Sequence, residues 1–184
     1  MREIRVPLVL AVCLGVVLAG LGARSIYYRE RVVAPLAAAA AELPGVASVE
    51  VVDAAAGGKD VVARLVPGAP LESAYVALDE LARAALGRSY GRLRLEDRRT
   101  PVLERAFHAM HFAVHEGIAT GRFAAMAGEV EARLAAFPGV QHRVRVGDRH
   151  VFVELAEGDA YLHEVIPRPP AALARYDSQR AGGA

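Results

Sequence analysis

Cysteine, lysine and net charge are all scarce in this chain. Among 184 residues Cys13 is the only cysteine, which excludes a disulfide framework and a cysteine-based zinc site. Basic and acidic side chains nearly cancel, 22 against 21. The large basic excess of a dedicated nucleic-acid binder is absent, and no nucleic-acid partner is expected. Lys59 is the sole lysine; arginine in its place, with abundant alanine, fits a GC-rich coding genome rather than phosphate recognition. Catalytic pairings are missing too. Ser25, Ser48, Ser73, Ser89 and Ser178 lack a nucleophile-elbow context. Gly57-Gly58-Lys59 fails as a phosphate loop, because Asp60 stands where that loop needs Ser or Thr. Asp79-Glu80 and Glu96-Asp97 are sequence neighbours whose side chains diverge. The chain is therefore not expected to be an enzyme, and no cofactor is expected.

Apolar residues are plentiful, at 54%, too many for a disordered protein. They concentrate in Val6 to Ala23, 18 residues without a charge. As a helix this run spans roughly 27 Å, close to the thickness of a bilayer core. Arg2 and Arg5 precede it, Arg24, Arg29 and Arg31 follow, and Tyr27 and Tyr28 fall where an aromatic belt sits. A cleavage site wants small residues at −3 and −1. Leu21-Gly22-Ala23 has Leu at the first of these and Gly20-Leu21-Gly22 fits weakly, so a retained anchor is favoured over a cleaved leader. Leu10 to Cys13 is lipobox-like, but Val12 is a poor residue before a lipidated cysteine and the apolar run continues. Cys13 reads instead as a small apolar residue. Flanking charge is almost tied. The five-residue tail favours a cytoplasmic N-terminus and an extracytoplasmic remainder: a single-pass protein of the cell membrane.

Beyond the anchor and its flank (1–30), periodicity divides the chain into two α+β modules and a tail. In the first, 31–99, an Ala-rich helix with Pro35 in its first turn ends at Pro44-Gly45. Val46 to Asp53 and Asp60 to Val66 read as a hairpin. Leu71 to Leu86 has helical spacing and is capped by Gly87. Gly91 to Asp97 alternates Leu93/Leu95 with Arg92/Arg94 as a half-buried strand. The order is α-β-β-α-β. In the second, 100–167, Thr100 caps a helix that has Pro101 at its first position and Glu104 in its first turn. Its apolar stripe is Leu103, Phe107, Met110 and Val114. A second helix with Met126, Val130 and Leu134 ends at Pro138-Gly139. Val140 to Val146, Arg149 to Leu155 and Ala160 to Ile166 then read as a three-stranded meander, giving α-α-β-β-β. Both sheets are expected to be antiparallel. Residues 168–184 have no sustained pattern and read as a flexible tail. LPGVASVEVV (Leu43 to Val52) echoes FPGVQHRVRV (Phe137 to Val146). The echo is either a divergent duplication or two uses of common helix-stop and strand chemistry. At least one of Gly45 and Gly139 is expected at positive φ.

The α-β-β-α-β order behind a membrane helix, with LPGVASVEVV at its start, resembles the ring-building modules of bacterial envelope machines. These occur in the ring lipoproteins of type III secretion, the flagellar basal ring and the sporulation channel proteins. The resemblance covers Val33 to Asp97 and implies a structural role in assembly. Metal-carrying ferredoxin-like modules begin similarly but need a pair of loop cysteines, absent here. DRRTP (Asp97 to Pro101) and YLHEVIPR (Tyr161 to Arg168) resemble segments of uncharacterised anchored proteins of Gram-positive bacteria, which carry no transferable activity.

The sharpest cluster of chemistry-bearing residues is His108, His111 and His115, with Glu104 before and Glu116 after. On a helix, 104, 108, 111 and 115 share a face bordering the apolar stripe. His111 and His115 have the i, i+4 spacing that grips one Zn²⁺ or Cu²⁺; the other reading is a partly exposed polar flank. Further ligands would have to come from His142, His150 or His163 on the meander, or from a neighbouring chain. Arg88 to Arg99 holds five arginines against Glu96 and Asp97. It reads as a strand with a solvated charged face rather than as a lipid or acidic-partner site. The expected function is that of a membrane-anchored structural or assembly protein working through a protein partner or homo-oligomer. The alternative is a metal- or ligand-sensing envelope domain using the His stripe.

Overall fold

The computed structural model describes residues 15, 27–55 and 57–168. The expected anchor, Val6 to Ala23, apart from Gly15, lies outside the described residues, as does the tail beyond Arg168. Among the described residues no helix is long and apolar enough to cross a membrane.

The fold is α+β, with two three-stranded sheets. A π-helical turn, Arg29–Val33, leads into α1, Ala34–Ala41. Pro35 explains the wide turn: it has no N–H to donate back along the helix, so the hydrogen-bond ladder is interrupted there. Ala34 N–H instead reaches Arg29 O. Gly45 ends the approach to the sheet at φ +84°, a left-handed value that glycine adopts without a Cβ penalty. Gly139 is not among the positive-φ glycines. β1 (Val46–Asp53) and β2 (Lys59–Leu65) form the expected antiparallel hairpin.

The third strand departs from the expected antiparallel arrangement: β3 (Tyr90–Glu96) runs parallel to β2. The cause is the connection. α2 (Leu71–Leu86) has 16 residues, roughly 24 Å at 1.5 Å each. That matches the seven residues of β2, about 23 Å. The helix thus carries the chain back to where β2 began, and Lys59 pairs with Tyr90. Leu71, Ala74, Leu78, Ala82 and Leu86 of α2 are buried. With α1's Leu36 and Ala40 they form one core over Val61, Ala63, Leu65 and Leu93.

α3 (Pro101–Thr120) starts as its sequence dictates, with Thr100 Oγ1 accepting from Leu103 N–H at 3.3 Å. Gly121, left-handed at φ +71°, ends it, and α4 (Phe123–Leu134) packs back along it. A Cβ on Gly117 would lie 2.6–2.8 Å from Met126, so that glycine lets the two helices meet. β4 (Gln141–Val146), β5 (His150–Glu157) and β6 (Ala160–Pro167) form the expected antiparallel meander. Val151, Val153, Leu155, Leu162 and Ile166 face α3 and α4 in a second core.

β5 is buried on both sides. Phe152, 2% exposed, belongs to the first module's core. Its ring lies edge-on to Tyr75 of α2, centroids 5.8 Å apart. A second tie joins the modules: Arg98 and Tyr161 exchange backbone hydrogen bonds of 2.9 and 3.2 Å. The segment after β3 therefore covers the outer edge of β6.

Candidate functional site

Three places bring polar side chains together. The first is a cleft of about 870 Å³ between the meander and the β2–α2 turn. Strand alternation sets its floor: on β4, β5 and β6 the residues facing away from α3 are in register as rows. One row is Arg143, Glu154 and His163; the next is Gln141, Ala156 and Tyr161, beside which Arg98 is bridged. Arg64 and the Val66-Pro67-Gly68 turn close the opposite wall.

The groups on this floor are unequally satisfied. Asp97 accepts Arg99 Nε at 2.8 and 2.9 Å and the His163 backbone N–H at 3.3 Å. Arg64 pairs with Glu96 at 2.6 Å. Glu154, by contrast, has only Arg143 Nη1 at 3.7 Å, beyond hydrogen-bond range. Burial pushes the Glu154 carboxyl above the usual carboxylate range, against the pull of Arg143 and Arg145. His163 Nδ1 is buried with no hydrogen-bond partner. Burial holds this imidazole below its ordinary value, although Asp97 opposes the shift.

The His stripe lies elsewhere. His108 and His115 are exposed on α3, and His111 is half-buried. The rings of His108 and His111 stack with centroids 4.8 Å apart, and His115 stands edge-on to His111 at 6.3 Å. His111 Nδ1 lies 2.7 Å from the His108 carbonyl oxygen. A carbonyl only accepts, so Nδ1 carries a hydrogen, which in the neutral ring leaves the lone pair on Nε2. The meander histidines are not brought to this stripe. His150 packs on Tyr75, and His142 and His163 line the cleft. Among the described residues no group of three or more His, Cys, Asp or Glu side chains is placed to hold a metal ion.

The third cluster is at the junction of the modules. Asp79, buried in α2, accepts Arg83 Nε at 2.8 Å and the Tyr90 hydroxyl at 2.5 Å. Burial alone would raise its pKa; the hydrogen bonds from Arg83 and Tyr90 outweigh it and hold the carboxyl below the usual range. Burial and the Asp79 carboxylate push Tyr90 upward. His150, beside this cluster, is held below its ordinary value by burial, against the attraction of Asp79. These groups tie α2, β3 and β5 together.

The arginine-rich segment is dispersed over β3 and the linker rather than forming one patch. Arg92 bonds Asp60, Nε to Oδ2 at 3.3 Å, and Arg99 bonds Asp97 and Glu164. Among the described residues no hydroxyl hydrogen-bonds a histidine; Ser73 Oγ, for example, donates to the Pro70 carbonyl at 3.2 Å. Sequence reasoning named His163 only as a distant metal ligand, read Arg98 within a solvated arginine-rich strand, and passed over Arg143 and Glu154. The available signal was their phase: 143 and 145 on one strand, 154 and 156 on the next, and 161 and 163 on the last share one face.

No protein-family model matches the chain, and neither a curated protein nor a solved structure is significantly similar to it.

Proposed function

We propose that this chain is a single-pass membrane protein of the bacterial envelope. It acts structurally, holding a protein partner or further copies of itself at the membrane through its extracytoplasmic modules. The observation that carries this reading is the union of two small α+β modules into one body. Phe152 of the second is buried in the core of the first, and Arg98 is bridged to Tyr161. A rigid body on an anchor suits a role in holding and positioning. The outer face of the first sheet, with exposed Ser48, Glu50, Arg64, Arg94 and Glu96, remains open for contacts. The uncharged run from Val6 to Ala23 supports the anchor. The test is fractionation and cross-linking in bacterial membranes. The full chain should resist an alkaline wash, and single cysteines placed at Glu50 or Arg94 should give discrete cross-linked species above monomer size. Release by the wash, or monomer at every position, overturns the reading.

A second reading has its own support. The His111 Nδ1 bond to the His108 carbonyl is the kind of backing that orients a metal-binding imidazole. With His115 one turn on, it would make a two-histidine Zn²⁺ or Cu²⁺ site serving as a sensor. Calorimetric titration of Zn²⁺ into the full chain decides it. Binding tighter than about 1 μM that is lost in His111→Ala supports the sensor; no heat removes it.

A further inference from the structure

The cleft between the modules shows a mismatch between acceptors and donors. Its floor holds Glu154 and His163 side by side, as register partners on β5 and β6. Among the described residues the Glu154 carboxylate accepts no hydrogen bond, its nearest cation being Arg143 at 3.7 Å. The buried Nδ1 of His163 has no partner. The Glu154 side chain keeps 17% of its surface exposed, so its carboxylate is open to a donor entering the cleft. One strand row away, Arg98 uses its backbone for the Tyr161 bridge. Among the described residues its guanidinium is free. Asp97, the other carboxylate of the cleft, is occupied by Arg99 and the His163 N–H.

This charge pattern selects among ligands. A simple anion would reach Arg98 but face Glu154. A simple cation would reach Glu154 but face Arg98, Arg143 and Arg64. A ligand with a cationic donor at one end and an anion at the other meets both. Sheet geometry sets the distance between those ends. Arg98 stands one strand beyond His163 and two residues along, and one strand further still from Glu154. With about 4.8 Å between strands and 3.3 Å per residue, the ends of the site are roughly 8–12 Å apart. Two to three residues of extended peptide span that distance at about 3.3–3.6 Å each.

We propose that the cleft binds a short peptide with both ends free. Glu154, beside His163, takes its α-ammonium group, and Arg98 takes its α-carboxylate. Tyr161, between the two ends on the floor, lies under the peptide backbone. This is a small-molecule site, independent of the assembly role proposed above.

The test uses the full chain in detergent micelles, with trialanine as the probe. Calorimetry and the ring signals of ¹³C-labelled histidine are followed together. Saturable binding is expected, with the His163 signal shifting. N-acetyl-trialanine and trialanine amide should each bind at least tenfold more weakly. Glu154→Gln should bind the free and acetylated peptides alike, and Arg98→Gln the free and amidated peptides alike. Arg98 is an exposed side chain, so that variant keeps the fold; the blocked peptides decide the matter on the unaltered chain. No saturable binding up to about 10 mM, or binding indifferent to both end groups, overturns the proposal.

Discussion

Truncating Phe152 to alanine should do more damage than its position in the second module suggests. The side chain leaves β5 on the face opposite the second core and is buried among first-module residues. Tyr75 and His150 flank its ring with centroids 5.8 and 5.9 Å away. The other wall is so close that a Cβ on Gly147 would lie 3.1 Å from the ring. Phe→Ala in a core costs about 3–5 kcal/mol, transfer and cavity together. Here two modules form the walls and can close inward, which places the cost near the lower end, about 3 kcal/mol. Against a total stability of roughly 5–15 kcal/mol that is a large loss, concentrated where the modules are joined. The assay is urea unfolding of residues 27–168. Tyrosine near-ultraviolet circular dichroism reports the transition, since the chain has no tryptophan, and amide hydrogen exchange resolves the two modules. The unaltered segment should unfold in one transition. Phe152→Ala should lose about 3 kcal/mol and split it, α2 and β3 exchanging before the meander. The control is Phe112→Ala, whose side chain is 67% exposed and which should cost no more than about 0.5 kcal/mol. Equal, small losses in both variants would refute the claim that Phe152 joins the modules.

Gly45→Val should cost at least about 2 kcal/mol: about 1–2 for the left-handed backbone, plus a Cβ placed 2.6 Å from that of Ala69. Gly139→Ala should stay within about 0.5 kcal/mol, because its Cβ meets only Glu157 Oε1 at an ordinary 3.6 Å; denaturation midpoints compare the two. His150 and His163 have pKa values depressed below 6.5 by burial, so the unfolded chain binds protons more readily than the folded one. Stability should be full above pH 6.5 and fall as pH drops below it. His150 is surrounded by Asp79, Arg83 and Arg149; His150→Phe should flatten its share of that slope in midpoints measured from pH 7.5 to 5. Deleting residues 1–23 should release the protein from membranes with its circular dichroism unchanged, because both modules have their own cores; a truncated chain that still pellets after an alkaline wash would refute the anchor.

Local chemistry made most elements legible. The Thr100-Pro101 start and the glycines at 45 and 87 act within a few residues of themselves, so those helix boundaries followed from sequence. The meander followed from the alternation within its three strands. Strand direction in the first sheet did not, because α2 returns the chain through space and nothing within β3 records which way its neighbour runs. The His stripe was legible as a face of α3, since 108, 111 and 115 lie one helical turn apart. Where the other three histidines point was not, because that depends on which side of the meander meets the helices.

The union of the modules left a trace in β5. A sheet covered by helices on one face and water on the other alternates apolar and polar residues. On the outer face of the meander, Arg143, Arg145, Glu154 and His163 obey that rule. Phe152 and Val165 break it, and they are register partners on adjacent strands. Together with Val151 and Val153, Phe152 makes the unbroken apolar run Val151-Phe152-Val153, which reads as a strand covered on both sides. What covers the second side is the first module, and it stops one row short. The row beyond, Arg143–Glu154–His163, therefore lies under the overhang without being packed against it. The cleft and its charged floor follow from where that apolar pair ends.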